Sequence, residues 1–241
     1  MGDVAGAATV PGRTPAWSDV MLWFETLDPI VKGLSHGLNN RALALSATIE
    51  SLDPKRPVGQ QLASGLSRES ERLTEQLRQL RGLPFSIERE PMPLLLRDVM
   101  SVALHLHRAH ATLGDVPVYL DGTADAPPVL APESALVHAS LVTLTSLKRY
   151  AAPGGLVRIS VSGSPEQAEV RFVAQRDPSD DHGEMDAEFL VRPASLASAL
   201  LESAQLRIDQ RIGADIALVE WSLPSLRAMR RRARETAAAA E

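Results

Sequence analysis

Two leucine stripes parted by a pair of prolines constrain this chain more than any other feature. Val31, Leu34, Leu38, Ala42, Leu45, Ile49 and Leu52 recur three or four residues apart, and Leu62, Leu66, Leu73, Leu77 and Leu80 repeat the pattern. That period lays apolar side chains along one side of a helix. Between them stands Asp53-Pro-Lys-Arg-Pro57, which cannot stay helical, because each proline lacks an amide donor and disfavours helix in the residue before it. The pattern predicts an antiparallel helical hairpin over residues 29–82. It is expected to start at Asp28-Pro29, a capping residue followed by a first-turn proline, and to stop at Gly82 and Pro84. Residues 1–28 are then expected to form a flexible lead-in. A lone hairpin would leave both stripes wet, so residues 29–81 are expected to pair with a second copy as a dimeric four-helix bundle.

After Pro91 the pattern changes. A helix over 93–112, a strand over 116–121 and a helix over 132–151 lead to Pro153-Gly-Gly155. Strands 156–162 and 168–175 follow as a hairpin, then a polar stretch, a helix near 193–205, and strands 206–211 and 215–223. Strands joined by tight turns and mixed with helices make residues 92–223 an α+β sandwich with helices on one face of a sheet. Residues 224–241, with Arg227, Arg230, Arg231, Arg232 and Arg234, read as a basic helix or tail.

Zero cysteines exclude a disulfide framework, a thiol nucleophile and a cysteine-ligated metal. No apolar run is long enough to span a bilayer, and the N-terminus lacks the order of a secretory signal, so a cytoplasmic protein away from membranes is expected. A net charge of -5 argues against nucleic acid as a partner, the arginine cluster notwithstanding.

The sharpest local feature is Leu34-Ser-His-Gly-Leu-Asn-Asn-Arg41. With Leu34 and Leu38 on the packed seam, His36 falls on the far side of the helix, facing solvent. An exposed imidazole on a rigid helix can accept a phosphoryl group. Asn40 lies one turn beyond, within reach of whatever the ring carries. By spacing alone the alternative is a solvated surface histidine.

Ser35-His-Gly-Leu-Asn-Asn40 resembles the phosphoacceptor box of sensor histidine kinases: His, an acid, Leu, Asn, Asn. The likeness continues through the hairpin and, more faintly, over 92–223. Ala139 to Gly155 looks like the helix bearing the kinase N box and its Gly-Gly turn, and Trp221-Ser-Leu-Pro224 ends the chain's sandwich where such domains end. The departures are equally specific. Ser146 stands where the family places a magnesium-binding asparagine. Ala174-Gln-Arg-Asp-Pro178 replaces an Asp-x-Gly box that reads adenine, and residues 194–199, Ala-Ser-Leu-Ala-Ser-Ala, replace a glycine-rich phosphate cradle. Gly37 stands where the family has an acid that serves as base. The acidic Asp177, Asp180, Asp181, Glu184, Asp186 and Glu188 would repel a triphosphate unless a cation intervened, or form only a solvated loop.

The resemblance therefore implies a histidine phosphotransferase with a degenerate ATP-binding domain. His36 would carry phosphate to and from response-regulator receiver domains, Asn40 and Asn39 would orient the phosphoryl group, and the receiver would supply magnesium, with no cofactor of the chain's own. A pseudokinase scaffold and a divergent active kinase are the alternatives. Elsewhere, His105, His107 and His110 share one helix, of which His107 and His110 are a turn apart, and read as surface or domain-contact histidines ahead of a metal site. His182 could join Asp181 and Glu184 on a cation.

Overall fold

The computed structural model describes residues 17–52, 55, 59–83, 90–121, 126–177 and 188–238. Residues 1–16, most of the 53–58 turn and the acidic stretch 178–187, including Asp180, Asp181, His182, Glu184 and Asp186, lie outside the described residues.

Helix α1, Trp17–Glu50, runs antiparallel to α2, Gln60–Arg81, and the hairpin is the one the leucine stripes predict. Its start is not. The helix passes through Pro29, so Trp17–Asp28, expected as lead-in, is helical, and Asp28 pairs with Lys32 at 2.6 Å instead of capping. A proline inside a helix removes one backbone hydrogen bond and costs about 3 kcal/mol. Burial offsets it: Leu22, Leu27, Ile30 and Leu34 are all less than 8% exposed, packed on the α/β part of the molecule, each contributing roughly 1.5–3 kcal/mol.

The α/β part begins with β1, Met92–Leu94, paired antiparallel with β3, Val129–Ala131. Between them lie α3, Leu96–His107, and β2, Val118–Asp121. The helix expected over 93–112 is thus shorter at both ends, and β3 was not foreseen. Helix α4, Glu133–Ala151, then leads through the Gly154-Gly155 turn to the hairpin of β4, Leu156–Ser164, and β5, Gln167–Gln175. Gly154 sits at φ 78°, where a side chain would strain the turn. Helix α5, Glu188–Leu200, starts five residues before its expected position and encloses Pro193. Strands β6, Arg207–Ile212, and β7, Ile216–Pro224, and helix α6, Leu226–Ala238, complete the chain.

The main sheet has the order β2-β4-β5-β7-β6, with β2 and β4 parallel and every other pair antiparallel. Register aligns its buried residues in rows across three strands: Val157, Ala174 and Ala217; Ile159, Phe172 and Val219; Val161, Val170 and Trp221. Because side chains alternate along a strand, this apolar face meets α3, α4 and α5 while the other face is polar, with Arg171 and Glu220 paired at 2.6 Å. Edge strand β6 exposes Arg207, Asp209 and Arg211. Ser225 caps α6, its Oγ accepting from the Ala228 amide at 3.0 Å and donating to the Pro165 carbonyl at 2.7 Å.

One glycine governs the junction between α1 and this domain. A Cβ on Gly33 would be driven into the carbonyl oxygen of Ala109, while the Ala111 amide donates to the Pro29 carbonyl at 3.1 Å. Backbone meets backbone here, and neither can swing aside. Gly33→Ala should therefore lower stability by about 1–3 kcal/mol through overpacking. Gly65→Ala in α2, whose Cβ would meet nothing within 4 Å, should be neutral or stabilising by up to about 1 kcal/mol. Urea unfolding of both checks this; a Gly33→Ala protein as stable as wild type would refute the close approach.

Candidate functional site

Leu34, 1% exposed, is the last α1 residue buried against the α/β domain. Two residues later the helix has turned its other side, and His36 is exposed, as are Asn39 and Asn40. Asn40 Nδ2 lies 3.0 Å from His36 Nε2. An amide nitrogen only donates, so Nε2 accepts and the ring proton sits on Nδ1. Nε2 thus carries the ring's lone pair, which the Asn40 amide covers at rest and must release before that nitrogen can react. Among the described residues Asn39 makes no bond to His36. The structure brings two of the three expected residues together and leaves the third beside them.

Across the hairpin lies a network with no counterpart in the sequence reading. Arg41 donates from Nε to Gln76 Oε1 at 2.9 Å and from Nη1 to Glu69 Oε2 at 3.0 Å. Arg72 holds the other Glu69 oxygen at 2.7 Å. The Arg72 hydrogen bond, followed by that of Arg41, lowers the Glu69 carboxyl below its usual range. Gln76 Nε2 lies over Gly37, where a Cβ would collide with it. Residues 28 and 35 apart in the chain meet here, and only a hairpin register could have revealed them.

The three histidines expected on one helix divide, and His110 lies three residues past the end of α3. His105 is exposed and reaches α2, contacting Glu75 Oε1 at 3.0 Å and Gln79. His107 and His110, expected near the surface, are 1% and 4% exposed and stacked with centroids 5.0 Å apart. His107 Nε2 is 3.0 Å from Thr145 Oγ1, and its Nδ1 is 3.5 Å from the Nζ of buried Lys148. Desolvation drives both imidazoles toward the neutral form, His110 down to about 4, and pushes Lys148 down to about 8. No group of three or more metal-ligating side chains occurs among the described residues.

Ser146 and residues 194–199, read as departures from a nucleotide site, lie within helices α4 and α5. His138, Val142 and Ser146 recur at four-residue intervals on α4, and all three are buried. Leu22 and Leu196 pack with Val142, and the Trp23 ring lies on His138 with centroids 3.2 Å apart. Residues 194–199 are inside α5, where backbone amides serve the helix and cannot cradle an anion. At the end of β5, Arg176 stacks on Tyr150 and donates to the carbonyls of Tyr150 and Ala214 at 3.2 and 3.1 Å.

No protein-family model and no curated protein matches the chain in sequence. Among solved structures, histidine kinase ThkA in complex with response regulator TrrA is similar at a TM-score of 0.47 and 10% identity, over 88% of this chain and 66% of that one. A histidine kinase from Burkholderia phymatum is similar at 0.46 and 13%, over 87% and 98%. A bacterial phosphotransferase is similar at 0.41 and 15%, over 88% and 100%.

Buried neutral imidazoles make the domain sensitive to acid. In the unfolded chain they take up protons near 6.5, whereas burial holds folded His110 down to about 4 and His138 to about 3. Between those values the unfolded chain binds more protons, so stability is lost as the pH is lowered. The melting temperature should drop from pH 7 to pH 4, and His138→Leu should flatten that slope. An unchanged slope in the variant would show that His138 does not contribute.

Proposed function

We propose that this chain is a histidine phosphotransferase in which His36 Nε2 accepts a phosphoryl group from, or returns it to, the aspartate of a response-regulator receiver domain. The observation that supports this most is the exposed His36 ring, whose Nε2 is kept free of a proton by the Asn40 amide at 3.0 Å. In acceptance the phosphorus–oxygen bond of the acyl phosphate breaks as a phosphorus–nitrogen bond forms, and the aspartate leaves as carboxylate. Nε2 carries no proton to displace, and the Nδ1 proton, acidified as the ring takes up the phosphoryl group, passes to water, which reaches the exposed His36. Water thus takes the part of the acid that Gly37 lacks. Magnesium for the transfer belongs to the receiver.

The burial of Ser146 and of the α4 stripe under Leu22 and Trp23 supports a chain that does not use ATP, against the divergent-kinase alternative. Self-pairing of the hairpin accounts for Leu43 and Ile49, 68% and 58% exposed. It also accounts for the open groove lined by Leu45, Leu62 and Leu66, apolar surface that a second hairpin would cover.

His36→Ala should abolish acid-labile labelling by a phosphorylated receiver. Asn40→Ala should remain modifiable, with transfer or hydrolysis slowed on the order of 10- to 1,000-fold. Labelling of His36→Ala equal to wild type would favour a scaffold instead. In sedimentation, Leu38→Lys with Leu45→Lys should turn a dimer into monomers or unfold it, and a wild-type monomer at micromolar concentration would refute the bundle.

A further inference from the structure

The turn carrying His36 has a neighbour whose geometry the phosphotransfer reading leaves unused. Gln76 projects from α2 onto α1 at Gly37, next to His36. Its amide is oriented: Oε1 accepts from Arg41 Nε at 2.9 Å, so Nε2 and both its N–H groups face the other way, over Gly37. Arg41 is itself held by Glu69, and Glu69 by Arg72, so four side chains on two helices fix which end of one amide points at this turn. A side chain at position 37 would meet Nε2 and push the amide aside. No other protein partner accepts from that nitrogen among the described residues, and the half-buried side chain leaves it open to water. An amide donor whose orientation is fixed by charge-assisted hydrogen bonds can exchange that water for a substrate oxygen.

Resting on the phosphotransferase reading, we propose that Gln76 is a further phosphoryl-binding residue, donating from Nε2 to an oxygen of the phosphoryl group on or approaching His36. The chemistry matches what the site must hold. A phosphoryl group arriving on Nε2 has oxygens carrying two negative charges, and a neutral N–H donor stabilises them without supplying a proton that would hasten hydrolysis of the phosphorus–nitrogen bond. Asn40 would serve the ring side and Gln76 the α2 side. Gly37 then has a positive role: it makes room for a donor from the facing helix.

Gln76→Glu and Gln76→Leu separate this from a merely structural role. Glutamate keeps the length of the side chain and the acceptor for Arg41 while replacing the N–H groups with a carboxylate oxygen; leucine removes both. Each variant is mixed with a receiver domain loaded by acetyl phosphate, and phosphate on His36 is followed over time, with circular dichroism melting as a check on the fold. The expected result is a Gln76→Glu protein that melts like wild type but exchanges phosphate on the order of 10- to 100-fold more slowly, with Gln76→Leu slowed as well. If Gln76→Glu transfers at the wild-type rate while Gln76→Leu is slow, Gln76 acts only through Arg41 and the proposal is overturned. Wild-type transfer rates in both variants overturn it too. If wild type itself takes no phosphate, the phosphotransferase reading has failed, and the role of Gln76 fails with it.

Discussion

The burial of the first half of α1 against the α/β domain is the contact on which the rest depends. Ile30 and Leu34 are essentially sealed, Gly33 lets the Ala109 carbonyl reach the helix, and Pro29 receives a hydrogen bond from the Ala111 amide. Because α1 continues without a break, that contact fixes both the helix's direction and its rotation about its axis. His36 is two residues past Leu34, and 3.6 residues make a turn, so its outward orientation follows from what Leu34 buries. The exposed histidine is thus positioned by an apolar core that it does not join.

Much of this was legible in the sequence, and the rest was hidden for identifiable reasons. The leucine period disclosed the hairpin, and the placement of Leu34 on the seam disclosed the exposure of His36. Pro29 misled because proline suits a first turn, while the residues that overcome its penalty, Leu22 and Leu27, earn their weight only from partners far along the chain. Pro93 misled likewise: it lies in a short strand, where proline is tolerated at an edge, and Val129–Ala131 is too short to show an alternating pattern. The Arg41, Gln76 and Glu69 network joins residues about thirty apart, and no local pattern announces it. His107 and His110 read as surface or domain-contact histidines because polar residues usually lie outward, and nothing local in the sequence marks Lys148 as buried.

One buried polar group lies where α1 meets the α/β domain. Among the described residues His138 has no hydrogen-bond partner on either ring nitrogen, and an unmet donor of this kind costs about 1–3 kcal/mol. Trp23, Leu22 and Val142 nevertheless close over it. This part of α4 is covered by α1.

The charged rim of β6 has a consequence for how copies of this protein meet. An edge strand offers unpaired backbone groups to any passing chain, and Arg207, Asp209 and Arg211 stand exposed along this one. A second sheet docking there would have to desolvate alternating charges, which blunts edge-to-edge growth. Charge thus opposes open-ended sheet extension at the β6 end of the five-stranded order, the end away from β2.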